Sequence, residues 1–87
     1  MKAFISVSGK DRVGILASVS TLCQQYNANI LDVSQTILDD YFTMGMLVSI
    51  DQLSASFSDF QDALQTKISD MQIHVMHEDS FTAMHRI

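Results

Sequence analysis

Two periods organise the apolar positions of this chain: alternation in three short runs, and steps of three or four residues in two longer ones. In residues 2–8, Ala3, Ile5 and Val7 fall on one side and Phe4, Ser6 and Ser8 on the other, which predicts a half-buried strand. Gly9 is expected to break it. From Gly14 onward, Ile15, Leu16, Val19, Leu22, Cys23 and Tyr26 share one helical face, leaving Ser18, Thr21, Gln24 and Gln25 outside. Asp11 is the expected N-cap, because its carboxylate can accept N–H bonds from a first helical turn. Asn27, Ala28 and Asn29 end the helix, since Asn tolerates the left-handed backbone common after a C-cap.

Residues 30–38 read as a second strand, rich in β-branched side chains. Residues 41–51 read as a third, with Phe42, Met44, Met46, Val48 and Ile50 alternating against Tyr41, Thr43, Gly45, Leu47 and Ser49. Asp39-Asp40 between them predicts an antiparallel hairpin. Residues 53–58 supply a loop and candidate caps, and a second helix carries Phe57, Phe60, Leu64, Ile68 and Met71 on its buried stripe. Residues 72–76 form a short fourth strand with Ile73 and Val75 inward. In the tail, residues 77–87, Ser80 can cap a short helix whose apolar edge is Phe81, Met84 and Ile87. No linker, repeat or low-complexity segment interrupts the chain.

The order β-α-β-β-α-β is the α+β, ferredoxin-like pattern: a four-stranded antiparallel sheet with two helices on one face. Here it is followed by a short C-terminal helical extension. Residues 1–77 are expected to form the domain, and residues 78–87 to dock on their own or a partner subunit. The uncovered face carries Phe4, Tyr41 and Leu47 among Ser and Thr. Four strands leave open sheet edges, which are usually paired or protected. Dimerisation through those edges or that face is therefore expected, with Tyr41 and Phe4 as contacts.

Eighty-seven residues suit one domain, and an apolar fraction of 47% is ordinary for a globular protein. A net charge of −5 with only five Lys and Arg argues against binding nucleic acid or anionic lipid by electrostatics. Cys23 is the sole cysteine and sits on the buried stripe, so it is expected in the core, in keeping with a reducing cytoplasm. The first residues lack a signal peptide's continuous apolar core, and no apolar run approaches the ~18 residues of a membrane span. A cytoplasmic location is expected. His74 and His77 should point to opposite faces of a strand, so with Glu78 and Asp79 they make a poor metal site. No metal or cofactor is expected. His85 is expected at an interface or the surface, and the six methionines suit adaptable packing.

The chemistry concentrates in residues 9–16, Gly9-Lys10-Asp11-Arg12-Val13-Gly14-Ile15-Leu16, between the first strand and the first helix. A helix N-terminus offers unpaired N–H groups and the positive end of the macrodipole, which suits a carboxylate or phosphate. The G-x-x-x-x-G-K-[ST] spacing of a phosphate loop is absent. A purely structural turn would also use two glycines, and Lys10 and Arg12 would then simply be solvated.

This stretch from Val7 to Leu16, followed after one helix by Asn27-Ala28-Asn29-Ile30-Leu31-Asp32, resembles the start of an ACT domain. Ser34-Gln35-Thr36-Ile37-Leu38 with Tyr41-Phe42-Thr43-Met44, and the ending Phe81-x-Ala83-Met84-His85-Arg86-Ile87, extend the resemblance over the whole chain. It is most like the short stand-alone ACT proteins of bacteria and archaea, related to the domains of the glycine-cleavage repressor. The resemblance implies a non-catalytic regulatory domain that binds a small molecule, an amino acid by preference, as a homodimer. A regulated enzyme or transcription factor would be its partner. The implied pocket comprises Gly9, Lys10, Asp11, Arg12, Val13, Gly14, Ile15 and Leu16 with Asn29, Ile30 and Asp32, contributed by two subunits that face each other. Backbone N–H groups near Asp11 to Gly14 would hold a carboxylate, Asn29 the carboxylate or amine, and Asp32 an ammonium. Gly14 would let the ligand approach closely. Many ACT domains have Pro where this chain has Val13, so the ligand is left unnamed. Two alternatives stand beside this reading: a small acylphosphatase-like hydrolase using Arg12 and Asn29, and a ligand-free protein-interaction module.

Overall fold

The computed structural model describes residues 1–80. The expectations placed on Phe81, Met84, His85 and Ile87 lie outside the described residues. Alternation in the first run does produce a strand, β1 (Lys2–Lys10), which removes Ala3, Ile5 and Val7 almost wholly from solvent. It continues through Gly9 instead of breaking there, because Gly9 and Lys10 remain in register with Phe42 and Tyr41. Helix α1 (Ile15–Gln25), β2 (Asn29–Leu38), β3 (Tyr41–Ser49), α2 (Phe57–Lys67) and β4 (Gln72–His77) follow. The sheet order is β2-β3-β1-β4, and every neighbouring pair is antiparallel. The shortest extent, 19 Å, is that of one sheet and one helical layer.

The expected stripes form the core between these layers. Val19, Leu22 and Cys23 of α1 meet Phe42, Met44, Met46 and Val48 of β3, with Phe60 and Leu64 of α2 and Ile73 and Val75 of β4. Ile68 and Met71 are buried as expected, but just beyond the end of α2 at Lys67. Leu16 departs from expectation. It is 39% exposed, since it sits one residue round the helix from Ile15, at the margin of the stripe. Burial pushes the Cys23 thiol up to about 11, so it stays protonated and packs as a small apolar group.

Capping divides the two helices. Ser56 caps α2 by accepting from the Asp59 N–H at 3.0 Å, and Asp59 and Lys67 lie at the helix ends that suit their charges. At α1 the N-cap is Gly14, not Asp11, and no side chain caps it. The residues between Asp11 and Gly14 are not helical, which leaves Asp11 too far upstream to reach the first turn. Asn27 does end α1 with a left-handed φ of 60°, and Asp39 opens the hairpin turn with φ 59°.

A bulge interrupts the pairing of β2 with β3. Ile30 pairs with Val48 and Asp32 with Leu47, so Leu31 is the extra residue. Ile30 and Val33 both face the helices, whereas Asp32, Ser34 and Thr36 line the opposite face. His74 and His77 fall on opposite faces as expected, with His77 edge-on to Phe57 at 6.0 Å on the helical side. At the end of β4, Glu78, Asp79 and Ser80 already have helical backbone, so the turn begins upstream of Ser80.

The two sheet edges are unlike. On β4, the Ile73 N–H donates to Gln65 Oε1 at 3.1 Å and the Val75 N–H to Gln61 Oε1 at 3.3 Å. Gln65 Nε2 also donates to the Met71 carbonyl at 2.8 Å. Two glutamines of α2 thus cover this edge, a device that blocks pairing with another strand. β2, the other edge, is exposed along most of its length, with Leu31 at 45%, Ile37 at 52% and Leu38 at 77%.

Candidate ligand site

β1 delivers the chain into the turn at Gly9. A Cβ at this position would lie 2.7 Å from Met71 Sδ and 3.3 Å from the Asp70 carbonyl oxygen, so the backbone here passes directly against the α2–β4 connection. Arg12 fastens the same two segments. Its Nε and Nη2 donate to the two carboxylate oxygens of Asp70, the second at 3.1 Å, while Nη1 donates to the Val13 carbonyl at 3.1 Å. This two-pronged pairing fixes orientation as well as distance. It raises the Arg12 pKa and holds the Asp70 carboxyl below its ordinary value. On the other side, the Asp11 N–H donates to the Asp40 carbonyl at 2.7 Å and ties the turn to the hairpin.

The turn is therefore clamped between two connections, and two expected ligand groups are already engaged. The Asp11 N–H is bonded to Asp40, and the Arg12 guanidinium to Asp70. What remains open is the helix end. Gly14 has φ 88°, ψ 10°, and a Cβ added there meets nothing within 4 Å. Glycine is needed for the left-handed backbone, not for packing. The Ser18 N–H closes the first turn onto the Gly14 carbonyl at 3.0 Å, so the N–H groups of Ile15, Leu16 and Ala17 precede any helical acceptor. No acidic residue occupies that first turn. Val13 projects at the crest, 97% exposed, and Lys10 is exposed at the end of β1.

The clamp and the N-terminus give the fold an acid sensitivity. Asp70 is lowered from 3.8 by hydrogen bonding to Arg12, and Asp51 from 3.8 by hydrogen bonding to the N-terminal amine 2.6 Å away. Carboxyls that titrate lower when folded contribute their stability fully above the unfolded value and lose it as pH falls through the folded one. Melting temperature should therefore fall as pH is taken below about 4, and Asp70→Asn should flatten part of that fall. An unchanged acid limb in Asp70→Asn would show that the Arg12 pairing adds nothing to stability.

A family model for the ACT domain matches residues 3–78. The chain belongs to the ACT domain family. It is 46% identical over 89 residues to a UPF0237 protein of Listeria monocytogenes, with all of both chains covered. Among solved structures, an ACT domain protein from Streptococcus pneumoniae superposes with a TM-score of 0.78 at 35% identity, covering 100% of this chain and 97% of that one. A protein assigned as a glycine cleavage system transcriptional repressor matches with a TM-score of 0.65 at 26% identity, over 85% of this chain and 43% of its own. Membership makes this chain a regulatory ligand-binding domain. Among the described residues, no helix is long and apolar enough to cross a membrane, and no group of His, Cys, Asp and Glu could hold a metal ion.

Within one ACT domain the two halves of the expected pocket do not meet. Gly9 is opposite Phe42 and Asn29 is opposite Ser49, so seven steps of β3 separate them, roughly 23 Å at about 3.3 Å per residue. Ile30 is half-buried under the helical layer. Asp32 is exposed, its carboxylate accepts the Val33 N–H at 2.9 Å, and the bulge turns it to the face away from α1. Asn29 instead borders a depression of about 470 Å³ together with Gln24, Asn27, Ala28 and Gln52. Four neutral carboxamides converge there. Sequence reasoning missed this cluster because its members come from the end of α1, the start of β2 and the loop after β3.

Proposed function

We propose that this ACT domain is a non-catalytic sensor of an amino acid, working as a homodimer joined through its β2 edges. The observation that carries the reading is the uncapped N-terminus of α1, held behind Gly14 by a clamped turn. Its Ile15, Leu16 and Ala17 N–H groups suit the carboxylate of an amino acid. Dimerisation through β2 follows from the contrast between edges, since Gln61 and Gln65 cover β4 and leave β2 exposed. An antiparallel, two-fold pairing of β2 with its copy sets the start of one strand beside the hairpin end of the other. Asn29 of one subunit then stands near the glycine turn of its neighbour, and the carboxamide cluster supplies donors and acceptors for a zwitterion. A regulated enzyme or transcription factor is the partner class, as the similarity to a repressor supports. The hydrolase alternative is weakened because Arg12, its anion-holding group, is engaged by Asp70.

Thermal-shift measurements against each of the twenty amino acids test this. A ligand present at a hundred times its Kd stabilises the native state by about 2.7 kcal/mol, a rise of several degrees in Tm. Gly14→Ala should fold, at a cost of about 1–2 kcal/mol for the left-handed backbone, and should lose the ligand response. Light scattering should report a dimer. No shift with any amino acid, or a monomer, would sink the reading in favour of a ligand-free interaction module.

A further inference from the structure

The pairing on its inner side decides which backbone groups of β2 face outward. The Asp11 N–H donates to the Asp40 carbonyl, and Lys10 lies opposite Tyr41. Backbone groups point to alternate sides along a strand, so Phe42, Met44 and Met46 direct theirs at β1, while Tyr41, Thr43 and Gly45 direct theirs at β2. Opposite those last three stand Leu38, Thr36 and Ser34. The Thr43 hydroxyl also donates to the Thr36 carbonyl at 3.4 Å, from that same inner side. The N–H and C=O groups of Val33, Gln35 and Ile37 therefore point away from the sheet.

One of these three donors is already used. The Val33 N–H donates to Asp32 Oδ1 at 2.9 Å, which independently places it outside the β2–β3 ladder. Among the described residues, Gln35 and Ile37 alone keep an open outward N–H between the bulge at Leu31 and the hairpin.

We propose, resting on the homodimer joined through β2, that Asp32 sets the register in which the two copies pair. By holding the Val33 N–H it confines the pairing to Gln35 and Ile37, with the two-fold axis at Thr36. Opposed residues of an antiparallel pair direct their groups either at each other or both away, so the axis passes through a residue and not between two. With the axis at Thr36, Gln35 lies opposite the partner's Ile37, and four N–H groups meet four carbonyls with none left over. An axis at Gln35 or Ser34 would need the Val33 N–H to reach a carbonyl of the partner. The Asp32 carboxylate stands in that place and would leave the carbonyl without a donor. Side chains favour the same register. Thr36 opposes the partner's Thr36, and Ile37, half exposed in one subunit, lies diagonally across from the partner's Ile37. Residues 29–31 then run past the hairpin of the other copy, level with its residues 12–14, because Asp11 is already beside Asp40. Asp32 comes level with the partner's Asp40, and since both are exposed, salt screens their repulsion.

Disulfide trapping in the full chain tests this, with the single variants Thr36→Cys, Gln35→Cys and Ser34→Cys under mild oxidation. Cys23 can stay in place, because it is buried. A residue on the axis meets its own copy at a Cα separation of about 4.5 Å, whereas one step off the axis the copies stand too far apart to bridge. Thr36→Cys should therefore run as a covalent dimer on non-reducing gels, and the other two as monomers. Cross-linking of Gln35→Cys or Ser34→Cys instead, or of none of the three, would overturn the register. Light scattering on the same samples separates the two readings: a dimer that cross-links at none of these positions keeps the homodimer and refutes the register, and a monomer ends both. Asp32→Ala frees the Val33 N–H, so Gln35→Cys should begin to cross-link in that background. No change there would show that Asp32 does not set the register. In the unaltered dimer, hydrogen exchange of the Gln35 and Ile37 amides should be slow, and fast exchange at both would overturn the proposal without any substitution.

Discussion

Phe60→Ala is expected to lower folding stability by about 3–5 kcal/mol, the cost of lost burial plus the cavity left behind. Phe60 is fully buried and is the largest side chain in the fully buried set. It stands one turn into α2, with its ring centroid 5.7 Å from that of Tyr26, near the end of α1. The ring therefore joins both helices to the sheet. A domain of this length has a total stability of only about 5–15 kcal/mol, so the variant should be close to unfolding at ordinary temperature. Urea denaturation followed by circular dichroism should show a lower midpoint with an unchanged slope. A loss below about 1 kcal/mol would contradict this packing of the helices.

Gly9→Ala is expected to disturb the glycine turn more than Gly14→Ala, although both replace a glycine in the same motif. At Gly14 the new methyl group meets open space, so the cost is backbone strain alone. At Gly9 it meets Met71 Sδ at 2.7 Å and the Asp70 carbonyl at 3.3 Å. Met71 is itself buried and the Asp70 contact is backbone, so neither yields freely. Overpacking of this kind costs about 1–3 kcal/mol. The displacement acts on the residue that carries the Asp70 carboxylate, so the Arg12 pairing should fail with it. Combined with Asp70→Ala, Gly9→Ala should therefore be clearly non-additive in thermal melts. Additive losses would show that the clash and the ion pair are independent.

Much of the fold is legible in the amino-acid pattern, and the reasons for each gap are specific. Alternation and helical spacing mark the six elements to within a few residues because burial on one face demands that period. The glycine turn stands out for the same kind of local reason, since few residues other than glycine occupy a left-handed N-cap. Its fastenings do not stand out. Arg12 and Asp70 are 58 residues apart, and Asp11 meets Asp40 only because β1 and the hairpin end together. Gln61 and Gln65 look like ordinary solvent-facing helix residues until β4 is laid beside them. The bulge at Leu31 is equally hidden, because it is a matter of register against β3 and not of composition.

By itself, then, the sequence determined the order of strands and helices, the residues of the core and the motif that marks the ACT family. Those follow from local periodicity and from the backbone needs of single residues. Tertiary structure alone decided that Asp11 does not cap α1, that Arg12 is engaged within the chain, and that Asp32 faces away from the helices. It also decided which sheet edge is covered and which is left exposed. Each of these depends on groups distant in sequence meeting in space, and no pattern along the chain encodes that meeting.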